Sequence, residues 1–490
     1  MPRDPAALLI SIAMLIAAIA PATAEVLQAG VSLEARLSTA TGSRISHPGD
    51  PVKATVIAPV FAGGELVIPQ GAVVSGVVEK VDRLGFGLKH LTAEIEYRFD
   101  AVQLPDLAVI PIEARTVRVE TAKERVNTQG MIGGIYPTAN ISSTVAFYML
   151  PLLCADPEFA VPVLGIKFLI ARTPDPEIYF PAGTEMILQL VGNAYIPHPS
   201  LPLDRIEPLS AVEIAEVHRI IAQLPQQRTT SGHNHPSDLV NLLFLGGREP
   251  IDKAFHAAGW SGAQRGSMVS LYRTYHSMVQ RMGYRMAPMG NLTLNGVTSD
   301  AEYQKSLDTF SKRHHLRLWM QENENIWVAA ATEDVGYTVR RLHITHATDP
   351  FIDNERAKVL NDLAFTGCVE AASLITRGSS DADEQGRFAG TDGKVVAIRM
   401  NDCSDPREMP SESATSGPRH ERRLVQALIA LRNDIIRSNP ISLASNTMKT
   451  LQQKQKPEVN AAVSKSNTAQ SRWIRPSVLD EGNLTVTASR

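Results

Sequence analysis

Cysteine is scarce: three residues in a chain of 490, with no Cys-x-x-Cys pair. That removes a structural thiolate zinc site and a thioredoxin-like redox centre from consideration. A surplus of charge is missing too. Lys and Arg number 48 against 51 Asp and Glu, a formal net charge of -3, so nothing electrostatic calls for a nucleic acid or an anionic membrane as partner. Also absent are a Gly-x-Ser-x-Gly elbow, a phosphate-binding P-loop and a Gly-x-Gly-x-x-Gly turn between strand and helix, which excludes the standard sites built on them. His420-Glu421-Arg422-Arg423-Leu424 begins like a zinc-protease helix, but Leu424 stands where the second histidine is required.

Long apolar runs are limited to Ala6–Ala20, preceded by Arg3 and followed by Ala22-Thr23-Ala24 before Glu25. The run is short of the ~20 residues that span a bilayer and matches an export leader cleaved after Ala24. No cysteine stands at that point, so lipid anchoring is not expected. The mature chain is expected in the bacterial periplasm or beyond. There an odd cysteine count leaves one thiol over. Cys368 and Cys403 either form a bridge, worth roughly 3–4 kcal/mol by loop-closure arithmetic, or remain two buried thiols.

A composition of 44% hydrophobic and 20% charged residues is that of a globular chain, and its length predicts two or three domains. Residues 25–200 read as a β-rich barrel or sandwich, with strands at Val52–Ala58, Ala72–Val78 and the alternating Leu91–Phe99. Glu65-Leu66-Val67-Ile68-Pro69-Gln70-Gly71 is echoed by Glu177-Ile178-Tyr179-Phe180-Pro181-Ala182-Gly183. In each, proline ends a strand and glycine two residues on permits the tight turn into the next. Gly130–Ala155 carries no charge; it reads as an insertion or interfacial segment, with membrane contact the lesser alternative. Residues 201–235 hold a helix, Ser210–Leu224, and a polar linker, Gln226–Pro236.

Residues 236–403 mix both periodicities, as in an α/β or α+β domain with a central sheet. Strands are expected at Leu239–Leu245, His314–Met320, Ile326–Thr332, Leu342–His346, Val369–Ile375 and Val395–Met400. Helices are expected at Pro250–Ala258 and Val269–Met282, with a third capped by Asp349, started by Pro350 and ended by Gly367. Residues 404–490 read as a mostly disordered tail with one helix at 419–437.

Two resemblances follow from these residues. The Ile-Pro-x-Gly hairpin behind Gly49-Asp50-Pro51-Val52 resembles the β-domains of TrbI-like envelope proteins of conjugative secretion systems, a pattern that any Pro-Gly-punctuated barrel or sandwich shares. Pro236-Ser237-Asp238-Leu239-Val240-Asn241, Ala257-Ala258-Gly259-Trp260 and Arg313-His314-His315-Leu316-Arg317-Leu318-Trp319 resemble the LssY C-terminal family. So do Ala331-Thr332-x-Asp334, His343-Ile344 and Asp353-x-Glu355-Arg356, together covering about Pro236–Ile375. The second resemblance implies association with bacterial envelope and secretion gene sets and no established reaction.

Reactive side chains collect between Arg313 and Arg356. Strand alternation puts His315, Arg317 and Trp319 on one face and His314 with Leu316 and Leu318 on the other. By the same rule His343 turns with Arg341 and Thr345. Asp334 is expected just past a strand end, and Asp353, Glu355 and Arg356 in the first turns of a helix. One reading makes His315, His343, Asp334 and Asp353 ligands of a divalent metal, with Arg317 and Arg356 gripping a phosphate-like anion. A variant makes His315 and His343 with Asp334 an acid–base set. The competing reading is structural: carboxylates favoured at a helix start, an ion pair for Arg317, and a hydrogen-bonded core His314. His233-Asn234-His235 is a second imidazole pair in the polar linker. The expected function is an exported, non-catalytic binding or scaffold module partnered by envelope or secretion-system proteins. The alternative is a metal-assisted or His/Asp hydrolase acting on an anionic envelope substrate.

Overall fold

The computed structural model describes residues 25–409, apart from 136–174, 197–205, 378–390 and several shorter breaks. The leader, the helix expected at 419–437 and most of the uncharged 130–155 stretch lie outside the described residues.

Six strands close on themselves in the N-terminal region: β1 (Ser32–Leu37), β2 (Pro51–Val56), β3 (Val73–Asp82), β4 (Glu94–Gln103), β5 (Val109–Val119) and β6 (Glu185–Leu190). Each pairs antiparallel with the next, and β6 returns to β1. The region is therefore a barrel, and closure leaves none of the six as a free edge. Strict alternation fills its interior. Leu33, Ala35 and Leu37 of β1, Val52, Ala54 and Val56 of β2, and Tyr97 and Phe99 of β4 are all buried. The two echoed hairpins occupy equivalent places, leading into β3 and β6. Gly71 and Gly183 turn with φ of 86° and 92°, values that side chains with a Cβ resist.

The C-terminal part is a mixed sheet between helices. Its elements are α1 (Ala211–Gln223), β7 (Leu242–Leu245), α2 (Arg248–Ala257), β8 (Ser261–Gly262), α3 (Met268–Gln280), β9 (Ala301–Thr309), β10 (Lys312–Met320), β11 (Ile326–Arg340), β12 (His343–Thr348), α4 (Ile352–Phe365), β13 (Val369–Thr376) and β14 (Lys394–Met400). The sheet order is β8-β9-β10-β11-β7-β14-β13, with β12 also on β11. Among the described strands of this sheet only β7 and β14 run parallel. On one face α2 and α4 bury Phe255, Val359 and Leu363 against Leu316, Leu318 and Ala331. On the other α1 buries Val217, Ile220 and Ile221 against Leu243, Trp319 and Val328.

Several expectations shift. β11 continues eight residues past Thr332, so Asp334 sits within a strand rather than beyond its end. The strand expected at Leu239–Leu245 is interrupted at Val240 and Asn241, and part of the polar linker, Arg228–Ser231, is itself a strand paired with Pro236–Leu239 and Leu292–Leu294. The last helix begins at Ile352 with Phe351 as its cap; Asp349 instead accepts the Phe351 amide at 3.0 Å. The Cys368–Cys403 bridge is formed, joining the strand after α4 to the end of β14.

Candidate functional site

Arg313 through Trp319 of β10 are all buried, so this charged strand needs partners on both faces. Register supplies them. Arg313 lies opposite Asp334, His314 opposite Glu333 and Lys305 of β9 opposite His314.

On the face shared by Arg313, His315 and Arg317, two carboxylates answer the cations. Arg313 Nε donates to Asp334 Oδ2 at 3.0 Å. His315 Nδ1 lies 3.6 Å from the same oxygen and its Nε2 4.0 Å from Asp238 Oδ2. Arg317 donates to Asp238 Oδ2 at 3.1 Å and to the Gly290 carbonyl at 3.0 Å. Burial pushes the Asp238 carboxyl up, against the pull of Arg317, and the same burial lowers the Arg317 guanidinium. The structure thus brings His315, Arg317 and Asp334 together around Asp238.

It does not bring the remaining expected residues there. The His343 side chain lies outside the described residues. Its backbone pairs with Arg340, six positions along β11 from Asp334, or roughly 20 Å of extended chain. Asp353 and Arg356 belong to a separate group on α4. Arg356 forks onto Asp392 at 2.7 and 2.9 Å and reaches the Lys394 carbonyl at 2.6 Å. Asp353 accepts from Thr391 Oγ1 at 3.0 Å and from the Asp392 amide at 2.6 Å. Both α4 residues tie the helix to the approach to β14, and an Arg356 so engaged is not presented to an anion.

The opposite face meets the barrel, and there the strongest electrostatics lie. Glu185 of β6 pairs with Arg36 of β1, with Lys305 of β9 at 2.9 Å and with Lys358 of α4 at 2.8 Å. Asp362 of α4 accepts from Lys305 at 2.7 Å, Lys358 at 2.9 Å and Trp260 Nε1 at 2.9 Å. None of these five ionised side chains is more than 8% exposed. Three cations share two carboxylates. Burial and the neighbouring Arg36 accordingly lower the Lys305 ammonium to about 8, whereas Lys358, opposed by burial, is raised by Asp362 and Glu185. The Glu185 carboxyl, opposed by burial, is held well below the usual range by Lys305, Lys358 and Arg36. Alongside, Arg118 of β5 bridges Glu120 at 2.8 Å and Glu333 at 2.7 Å. His314 Nδ1 meets Glu355 Oε2 at 2.7 Å; burial opposes the imidazolium, but Glu355 raises it to about 9.

Residues 221–395 match the family model described as LssY C-terminus. The matched LssY C-terminus segment contains the Pro236–Ile375 motifs, and the structure gives several of them packing roles. Trp260 caps Asp362, Asn241 pairs with the Ala331 backbone through both side-chain atoms at 2.9 Å, and His314 locks onto Glu355. A solved structure, ComB10 of the Com type IV secretion system of Helicobacter pylori, shares 14% identity over 37% of this chain and 93% of its own, with a TM-score of 0.21. No curated protein matches the chain.

Lys305, Lys358, Asp362, Glu185 and Arg36 were not singled out from sequence. A signal existed for three charged positions on α4. Glu355, Lys358 and Asp362 recur at helical spacing next to Val359 and Leu363, and all are buried. Arg36 and Glu185 carry no such mark, because their partners are distant in sequence.

Proposed function

We propose that this chain is an exported bacterial cell-envelope protein acting as a non-catalytic binding or scaffold module in secretion or envelope assembly. The observation that carries the reading is the charged seam. His315, Arg317, Asp334 and Arg356, which looked reactive, are buried in ion pairs that hold elements together, and the barrel is fastened to the mixed sheet through other pairs, Lys305–Glu185, Lys358–Glu185 and Arg118–Glu333. The Cys368–Cys403 bridge supports export, since such bonds persist in oxidising compartments. The leader pattern ending at Ala24 supports the same route. Among the described residues no helix is long and apolar enough to cross a membrane. Partners are then other envelope or secretion-system proteins.

The hydrolytic alternative rests on one contact, His315 with Asp334, the arrangement of a base and its orienting carboxylate. Against it, His315 is 5% exposed and Arg317 is already held by Asp238 and Gly290. The two readings separate in one experiment. The mature protein is offered a panel of phosphate esters, with and without zinc, beside its His315→Asn variant. In parallel, cross-linking in the envelope fraction is scored for a defined adduct. The scaffold reading expects no turnover and an adduct that survives the substitution. Turnover abolished by His315→Asn would overturn it.

A further inference from the structure

The barrel and the mixed sheet meet around a cavity of about 40 Å³ lined by Glu34, Glu120, His314, Glu333, Asp349 and Glu355, among others. Six carboxylates, counting Glu185, face it against Arg118, Lys358 and His314. Donor atoms of Glu120, His314 and Glu333 all lie within 4.8 Å of one another. Two buried atoms on this wall have no hydrogen-bond partner, His314 Nε2 and Glu355 Oε1. The imidazole is 3% exposed. We propose that Glu120, His314 and Glu333 form a site for a divalent transition-metal ion that bridges the barrel to the mixed sheet.

The chemistry of the donor set fits. One imidazole and two carboxylates are borderline-to-hard ligands suited to zinc or manganese. Metal-bound histidines almost always donate their second ring nitrogen to a carboxylate. His314 has that support in place, Nδ1–H against Glu355 Oε2 at 2.7 Å, and the metal takes Nε2 by displacing the proton held there, which leaves to solvent. Bonds of about 2.0–2.2 Å set ligand atoms about 3–4 Å apart, so small side-chain rotations bring the three donors to bonding distance. The volume accommodates an ion and a water or two, each water needing about 10–15 Å³. Glu120 and Glu333 are at present bridged by the Arg118 guanidinium, itself a cation. Its side chain is 38% exposed, so it can withdraw to solvent when a metal takes its place.

That competition supplies the test. The mature protein, stripped with chelator, is titrated with zinc by calorimetry, and with cobalt while its visible d–d absorption is recorded. One ion per chain is expected, with oxygen and nitrogen donors. Glu120→Gln should weaken zinc binding about tenfold or more. Arg118→Gln, which removes the competing charge, should strengthen it about tenfold, a gain that misfolding does not produce. Substituting His233 and His235 by Ala should change nothing. The proposal fails if wild-type protein binds no zinc, if neither Glu120→Gln nor Arg118→Gln alters binding, or if binding is lost with His233 and His235. It stands apart from the scaffold reading, because zinc affinity is scored without reference to turnover or partners.

Discussion

Asn241 illustrates how a polar residue can serve as backbone. Its amide donates to the Ala331 carbonyl and its carbonyl accepts the Ala331 amide, both at 2.9 Å, where β7 no longer lies beside β11. Asn241→Ala leaves two buried backbone groups unpaired at about 1–3 kcal/mol each. We expect a lower urea midpoint with an unchanged slope. Asp362 shows the same dependence on partners with charge in play. Burial opposes its ionised form, but Lys305 and Lys358 lower its pKa below the ordinary value. A carboxyl lowered in the folded state contributes stability above its unfolded pKa, about 3.9, and loses it as pH falls through the folded value. Melting temperature should therefore fall on acidification below about pH 4, and Asp362→Asn should flatten that part of the curve.

The elements themselves depend on local and distant causes in different measure. Helix α1 is fixed locally: Ser210 and Glu213 form a reciprocal capping box, and sequence periodicity placed it to within a residue at each end. The disulfide acts over a longer loop. Replacing Cys368 and Cys403 by Ser should cost roughly 3–4 kcal/mol, read as a lower melting temperature that reductant reproduces in the wild type. Strand β9 carries no local mark of its burial. Glu302, Lys305 and Asp308 give Ala301–Thr309 the look of an exposed loop. Yet Lys305 is buried because Glu185 and Asp362, 120 and 57 positions away, neutralise it. No window along the chain holds that information. The face assignment of β10, by contrast, was legible, since His314 and His315 must point apart on any strand. Gathering His343 and Asp353 beside His315 required knowing where β11 ends and which way α4 enters, and neither is written locally.

At the scale of the whole molecule, a closed barrel and a helix-flanked mixed sheet are joined by ions rather than by a broad apolar contact alone. The barrel strands β1, β5 and β6 contribute Arg36, Arg118 and Glu185; the mixed sheet and α4 contribute Lys305, Glu333, Lys358 and Asp362. Removing one member of a buried network leaves the others charged and unanswered, at a cost of about 3–5 kcal/mol. Trp260, Trp319 and Trp327 pack in the core of the mixed sheet, the barrel strands β1–β6 contain no tryptophan, and a Trp473→Phe background leaves those three as the reporters. Their fluorescence follows the mixed sheet, while far-ultraviolet dichroism registers both halves. The decisive measurement is urea unfolding of wild type and Glu185→Gln followed by both signals at neutral pH. Coincident wild-type transitions are predicted, with the variant losing about 3–5 kcal/mol and its two signals drawing apart. Superimposable curves for the two proteins would contradict the claim that these charges hold the halves together.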